Sequence, residues 1–242
     1  MISVVLFTYK RPDRLIKSIE TMNNNKKISE IIIFNDDETT PLSDSMFKNL
    51  QNSELIKLYN PQDFGFSNRQ FRKHIYMNKS LDIIKSDKVL FTDDDARFSP
   101  FAIDKHEKAL DDYEFCVGGI IRGQFLNRIS KTILQGTNYS FKKSFFKNLG
   151  GYDETFAKSM GGGDVDFWFR IYNYVKKNNT KVAFIPKASQ KVTGKSTRRG
   201  KTGEINPKEY FIKKHNIEFD GPMYKWFPEI RNKKLWMDVI DG

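Results

Sequence analysis

Residues Val89-Leu-Phe-Thr-Asp93-Asp94-Asp95 pass from an apolar, strand-like run directly into three adjacent carboxylates. Three like charges side by side repel, so a fold that keeps them at a strand end needs a cation or a donor-rich ligand to meet them. That requirement favours a sheet whose strands finish at an open rim, because ligands bind outside the carboxyl ends of such strands. A metal ion holding a diphosphate is the ligand that suits such a tip. Further along, Gly161-Gly-Gly-Asp164-Val-Asp166 opens an apolar segment of helical period, so two acidic centres share one scaffold.

The remainder of the chain alternates strand and helix. Ile2 to Phe7 reads as a buried strand, and Pro12 with Asp13 opens a helix carrying Leu15, Ile19 and Met22 on one face. Ile31 to Phe34 is a second strand. Leu42, Met46 and Leu50, behind the caps Ser43 and Asp44, predict a second helix. Leu55 to Leu58 is a short strand, and Phe71, Ile75, Leu81 and Ile84 mark a long helix leading into the Val89 strand. Pro100 opens the next helix. Strands over 115–121 and 133–141, a helix over 143–149, and a helix from Asp164 carrying Phe167, Ile171, Tyr174 and Val175 follow. Val182 to Ile185 is expected as the last strand, stopped by Pro186, and Pro207 restarts a short helix. The expected class is α/β: a single Rossmann-like domain over residues 1–242, with a mainly parallel central sheet flanked by helices and a C-terminal helical extension.

The apolar runs are far too short for a bilayer span of roughly 20 residues. Met1 leads directly into a strand with no basic leader, so a cytoplasmic protein is expected. Cys116 is the single cysteine, which rules out an intrachain disulfide. The net charge of +11 raises a nucleic-acid reading through counterion release. Six of the basic residues, however, fall in the acid-free stretch 187–203, where Arg198 and Arg199 could close over a diphosphate. An anionic surface as a peripheral contact fits the same charge, and nucleic acid is disfavoured as the partner.

Taken together, these motifs resemble the family 2 glycosyltransferases with the GT-A fold, over residues 2 to 185. Ser3-Val-Val-Leu-Phe-Thr8-Tyr9-Lys-Arg11-Pro12 is similar to the family's opening strand and nucleotide-holding turn, which implies nucleotide contacts at Thr8, Tyr9 and Arg11. Phe34-Asn35-Asp36-Asp37 is similar to its second-strand acidic pair, with Asp36 as the acceptor for a base N–H. Gly65-Phe-Ser-Asn-Arg69-Gln-Phe-Arg72 resembles a Gly-x-x-x-x-Arg-Asn element with its spacing altered: Arg69 falls one residue early and Arg72 two late, and one of them is expected at the nucleotide. Asp93-Asp94-Asp95 resembles the Asp-x-Asp metal motif. The resemblance implies Asp95, with Asp93, at the Mn²⁺ or Mg²⁺ site, and Asp93 and Asp94 at the ribose hydroxyls and the metal's waters. Gly150-Gly-Tyr-Asp153-Glu154 followed by Gly161 to Arg170 is similar to the family's catalytic segment, and Asp164 matches its base. The glutamate that usually precedes the base is replaced here by Gly163.

The resemblance therefore implies an inverting, metal-dependent transfer of a sugar from a nucleotide-diphosphate donor, with uridine the expected base, to an acceptor hydroxyl. Residues 1–110 would form the nucleotide-binding half, 111–186 the acceptor-side half, and 187–242 a basic loop and extension. Two other classes remain open: a nucleotidyltransferase, although the turn 8–13 has no glycine, and a nucleic-acid-binding module using the basic surface. His74, His106 and His215 are isolated in sequence and read as packing or surface residues. Trp226 and Trp236 read as packing rather than sugar-stacking groups.

Overall fold

A computed structural model describes residues 1–65, 72–122, 135–159, 161–193, 203–223 and 226–242. The elements in chain order are β1 (Ile2–Thr8), α1 (Pro12–Glu20), β2 (Ile28–Asn35), β3 (Ile56–Tyr59), α2 (Lys73–Ile83), β4 (Lys88–Asp93), β5 (Ala96–Phe98) and α3 (Ala102–Ala109). They continue with β6 (Phe115–Arg122), β7 (Tyr139–Lys142), α4 (Lys143–Asn148), α5 (Gly163–Asn178), β8 (Val182–Val192), α6 (Pro207–His215), α7 (Pro228–Arg231) and β9 (Asp238–Val239). The strands form one mixed, mostly parallel sheet in the order β3-β2-β1-β4-β7-β6-β8-β5, with β9 also paired to β8. β7 runs antiparallel between β4 and β6, and β5 antiparallel to β8.

Both faces of the sheet are covered, which is why β1 is apolar at nearly every position rather than alternating. Its even residues Ile2, Val4 and Leu6 pack with Leu15 and Ile19 of α1 and with Ala102 and Ile103 of α3. Its odd residues Val5 and Phe7 join Tyr76 and Met77 of α2, Phe145 and Phe146 of α4, and Phe167 and Trp168 of α5. Each large apolar side chain buried this way contributes roughly 1.5–3 kcal/mol. The register then sets the site: Phe7 is opposite Asp93, and Thr8 opposite Asn35, so the carboxyl ends of β1, β2 and β4 finish at one rim.

Three expectations are corrected. The helix expected over 42–50 is only a short 3₁₀ turn, Asp44–Phe47. Such a short segment cannot support a helix by itself, and the Asn60 side chain accepts from the Leu42 N–H at 2.9 Å and donates to its carbonyl at 3.1 Å, holding the chain outside a helix. β8 does not stop at Pro186 but continues to Val192. It survives by bulging: Gly118 pairs with Ile185 and Ile120 with Gln190, so Pro186 lies where no ladder N–H is needed. Asn138 pins the bulge, its amide donating to the carbonyls of Gly119 and Ala188. β7 begins only at Tyr139, because Asn138 adopts a left-handed φ of 58° that ends the preceding turn.

The C-terminal extension is more than helical, since β9 extends the sheet beside Ala183 and Phe184 of β8. Phe211 of α6 is buried against Phe169, Trp226 and Phe227, so Trp226 is a packing residue as expected. No helix among the described residues is long and apolar enough to cross a membrane.

Candidate active site

The three strand-tip acids are not equivalent. Asp94 has no exposed side-chain surface; Thr8 Oγ1 donates to it at 2.7 Å, and Arg11 meets both of its oxygens, at 3.1 Å through Nε and 2.6 Å through Nη2. Burial pushes the Asp94 carboxyl up to about 7, although Arg11 and Thr8 pull it down. The carboxylate expected to face a ribose is thus turned into the protein, where it anchors the β1 turn to the β4 tip. Asp93 and Asp95 keep side-chain exposures of 26% and 13%. Arg11 Nη1 also reaches Asp95, at 3.2 Å.

Lys73, at the start of α2, closes the cluster. Its ammonium donates to Asp93 Oδ1 at 2.6 Å and to the Gly136 carbonyl at 2.7 Å. Burial alone pushes Lys73 toward neutrality, but Asp93, Asp164 and Asp95 outweigh it and hold its pKa above the usual lysine value. Burial likewise raises Asp93, with Lys73 opposing and Asp95 and Asp164 adding to the rise. One ammonium therefore faces the strand-tip acids and Asp164 together.

Asp164 lies in the first turn of α5, which opens from Gly162 at a φ of 84°. Its side chain is 43% exposed, yet Oδ1 is buried and has no hydrogen-bond partner; it faces His74 Nε2 at 3.8 Å. Burial raises the Asp164 carboxyl, and His74 and then Lys73 more than offset it, so it stays below the usual carboxylate range. Asp166, two positions on, points elsewhere, as helical geometry of about 100° per residue requires. It is buried against Arg170, Lys214 and His215 and takes no part in the cleft.

On the β2 side, the Asp36 N–H donates to the Thr8 carbonyl at 2.9 Å, placing Asp36 beside the β1 turn. Arg72 is almost fully buried, with Nη1 on Asp36 at 3.1 Å and Nη2 on Glu38 at 2.8 Å, so its guanidinium holds the second-strand acid rather than projecting into the cleft. Asp37 is the turn-forming member of the pair, accepting from Thr39 Oγ1 at 2.7 Å. Tyr9 is half-buried, with Lys10 Nζ over its ring at 5.3 Å. Arg69, Arg198 and Arg199 lie outside the described residues.

Hard oxygen donors at Asp93 and Asp95 suit Mg²⁺ or Mn²⁺, which take one or two protein carboxylates and complete their shell with substrate phosphates. Among the described residues no cluster of three or more His, Cys, Asp or Glu is placed to hold an ion. Lys73 was not singled out in the sequence, and His74, expected as a packing or surface residue, is buried and stacked on Tyr152 but also faces Asp164. The sequence signal that bears on His74 is Gly163, standing where a glutamate was expected.

The sequence model described as Glycosyl transferase family 2 matches residues 3–173. Among solved structures, the chain is similar to S. aureus TarS 1–349, with a TM-score of 0.57 at 15% identity, covering 79% of this chain and 60% of that one. The same fragment in complex with UDP-GlcNAc gives 0.59 at 13% identity, covering 81% and 59%. The mannosyltransferase PcManGT from Pyrobaculum calidifontis, in complex with GDP-Man and Mn²⁺, gives 0.60 at 11%, covering 96% and 69%. At these identities the likeness is one of fold, the expected GT-A arrangement, and the chain spans about 60% of the TarS fragment. No curated protein matches the sequence. The family's model covers most of the strands that build the rim, and the solved neighbours share the sheet, so the chain belongs to glycosyl transferase family 2.

Proposed function

We propose that this chain is an inverting glycosyltransferase that moves a sugar from a nucleotide-diphosphate donor, uridine-linked, onto an acceptor hydroxyl. The observation that carries the reading is the half-open Asp164 carboxylate sharing Lys73 with the Asp93–Asp95 tip, on a family 2 scaffold. In this reading Asp164, ionised at neutral pH, takes the acceptor's hydroxyl proton while that oxygen bonds to the anomeric carbon. The bond from that carbon to the diphosphate breaks on the opposite face. One bond forms as one breaks, so configuration inverts without a covalent enzyme intermediate. A divalent ion, held by Asp95 and Asp93, would neutralise charge on the departing diphosphate. Asp36, steadied by Arg72, and the half-buried Tyr9 offer the base an acceptor and an aromatic surface. The UDP-GlcNAc complex of TarS supports a uridine donor, and the Mn²⁺ complex of the Pyrobaculum enzyme supports a metal.

Asp164→Asn should lower turnover of UDP- and GDP-sugars by about 10² to 10⁴ and spare donor affinity. Asp95→Ala should weaken Mn²⁺-dependent donor binding. Calorimetric Kd values alongside initial rates separate the two, and equal loss of donor affinity in both variants would overturn the division of roles.

A further inference from the structure

A side chain at residue 163 would have to displace the His74 ring. A Cβ on residue 163 would collide with Cε1 of His74 and lie 2.7 Å from both ring nitrogens. The ring is braced by aromatic neighbours. It is buried and stacks on Tyr152 at 4.6 Å and 14°; Tyr152 in turn stacks on Phe167 of α5 at 4.0 Å and shares a 2.7 Å hydroxyl contact with Tyr139 of β7. Asp164 also packs against the Gly136 backbone, where a Cβ would lie 2.8 Å from the carboxyl carbon. The Asp164 carboxylate therefore packs close to both the His74 ring and the Gly136 backbone, with Oδ1 buried 3.8 Å from Nε2 while the side chain as a whole stays 43% exposed.

We propose that His74 is the positioning residue for Asp164, its imidazole taking the volume beside residue 163 and aiming the buried oxygen so that the open side of the carboxylate faces the acceptor. This rests on the base role given to Asp164 above. A separation of 3.8 Å is longer than a hydrogen bond, and contacts of this kind commonly shorten when substrate binds. The other titratable groups around Asp164 are Lys73 on α2, Asp93 on β4, Tyr139 on β7 and Tyr152 after α4. Of these, Lys73 is the cation. The missing glutamate of the catalytic segment and the unassigned histidine thus become one feature: a small residue at 163 makes room for a ring supplied by another helix.

His74→Phe keeps the ring volume and the stacking on Tyr152 but has no nitrogen to face Asp164. The Asp164 carboxyl, followed by ¹³C NMR and assigned by its disappearance in Asp164→Asn, should titrate at higher pH in His74→Phe than in the native chain. With UDP-sugars, kcat should fall by about 10- to 100-fold, the size of loss expected for a misplaced catalytic group. The acid limb of its pH profile should move upward, and the Kd for UDP should be unchanged. Gly163→Ala, which displaces the ring from the other side, should shift the same carboxyl in the same direction, and either folded variant suffices for the test. A native carboxyl titration together with native kcat in a folded variant would overturn the proposal. Should Asp164→Asn keep native turnover while His74→Phe still shifts the titration, the base role fails and the positioning of Asp164 by His74 stands.

Discussion

Lys73 places one ammonium against Asp93 and the Gly136 carbonyl, with Asp164 and Asp95 adding to its charge environment. Replacing it with methionine leaves a half-buried carboxylate and a carbonyl without their donor, a loss of about 1–3 kcal/mol. Urea unfolding of Lys73→Met should read that loss at neutral pH; unchanged stability would mean that the acids find another cation. The acids themselves were legible, because three consecutive carboxylates after an apolar run have few structural uses. Lys73 and His74 were not. They follow the segment 65–72, whose arginine spacing departs from the family pattern, and nothing local distinguishes a lysine aimed into a cleft from one on a solvated face. Asp94 shows the converse: its place in the motif was readable, but its turn into the protein depends on Thr8 and Arg11, residues distant in sequence.

At the scale of elements, α5 and α6 are fastened through buried Asp166, which meets Arg170 at 2.8 Å, Lys214 at 2.7 Å and His215 at 2.8 Å. Burial raises its pKa, and His215, Arg170 and Lys214 more than compensate, so the folded value lies below the usual one. Asp153, also on Lys214, is depressed as well, with Lys214 and Tyr210 outweighing its burial. A carboxyl depressed on folding stabilises above its unfolded pKa of about 3.9, and that contribution is lost as pH falls through the folded value. Asp166→Asn should therefore cost about 1–3 kcal/mol at pH 7, because it removes the buried anion to which the partly exposed Arg170 and Lys214 donate. It should also flatten the fall in stability below pH 4; a variant with the native acid slope would show that other groups carry it. Periodicity found most helices and strands, since apolar spacing is a local record of which face is covered. It failed at 42–50 and at Pro186, where a side chain from Asn60 and a bulge held by Asn138 decide the backbone, and both act from outside the segment.

For the molecule as a whole, the net charge of +11 had left a nucleic-acid reading open. A thermal-shift series separates that reading from a sugar-nucleotide enzyme. A ligand present at 100 times its Kd raises stability by about 2.7 kcal/mol if it binds only the folded chain. UDP- or GDP-sugars with Mn²⁺ should therefore raise Tm by several degrees. A shift produced by oligonucleotides alone, falling steeply with salt, would favour the binding module instead.

The sequence by itself determined the α/β layering and the carboxylates at the rim, because both are written in short-range patterns: apolar period, proline and glycine punctuation, and adjacent like charges. Only the tertiary structure decided which acids face outward, that Arg72 is spent on Asp36 and Glu38, and that His74 and Gly163 occupy one volume. Those outcomes depend on contacts between distant segments, and the energy of such a contact is set by geometry that no local stretch of residues contains.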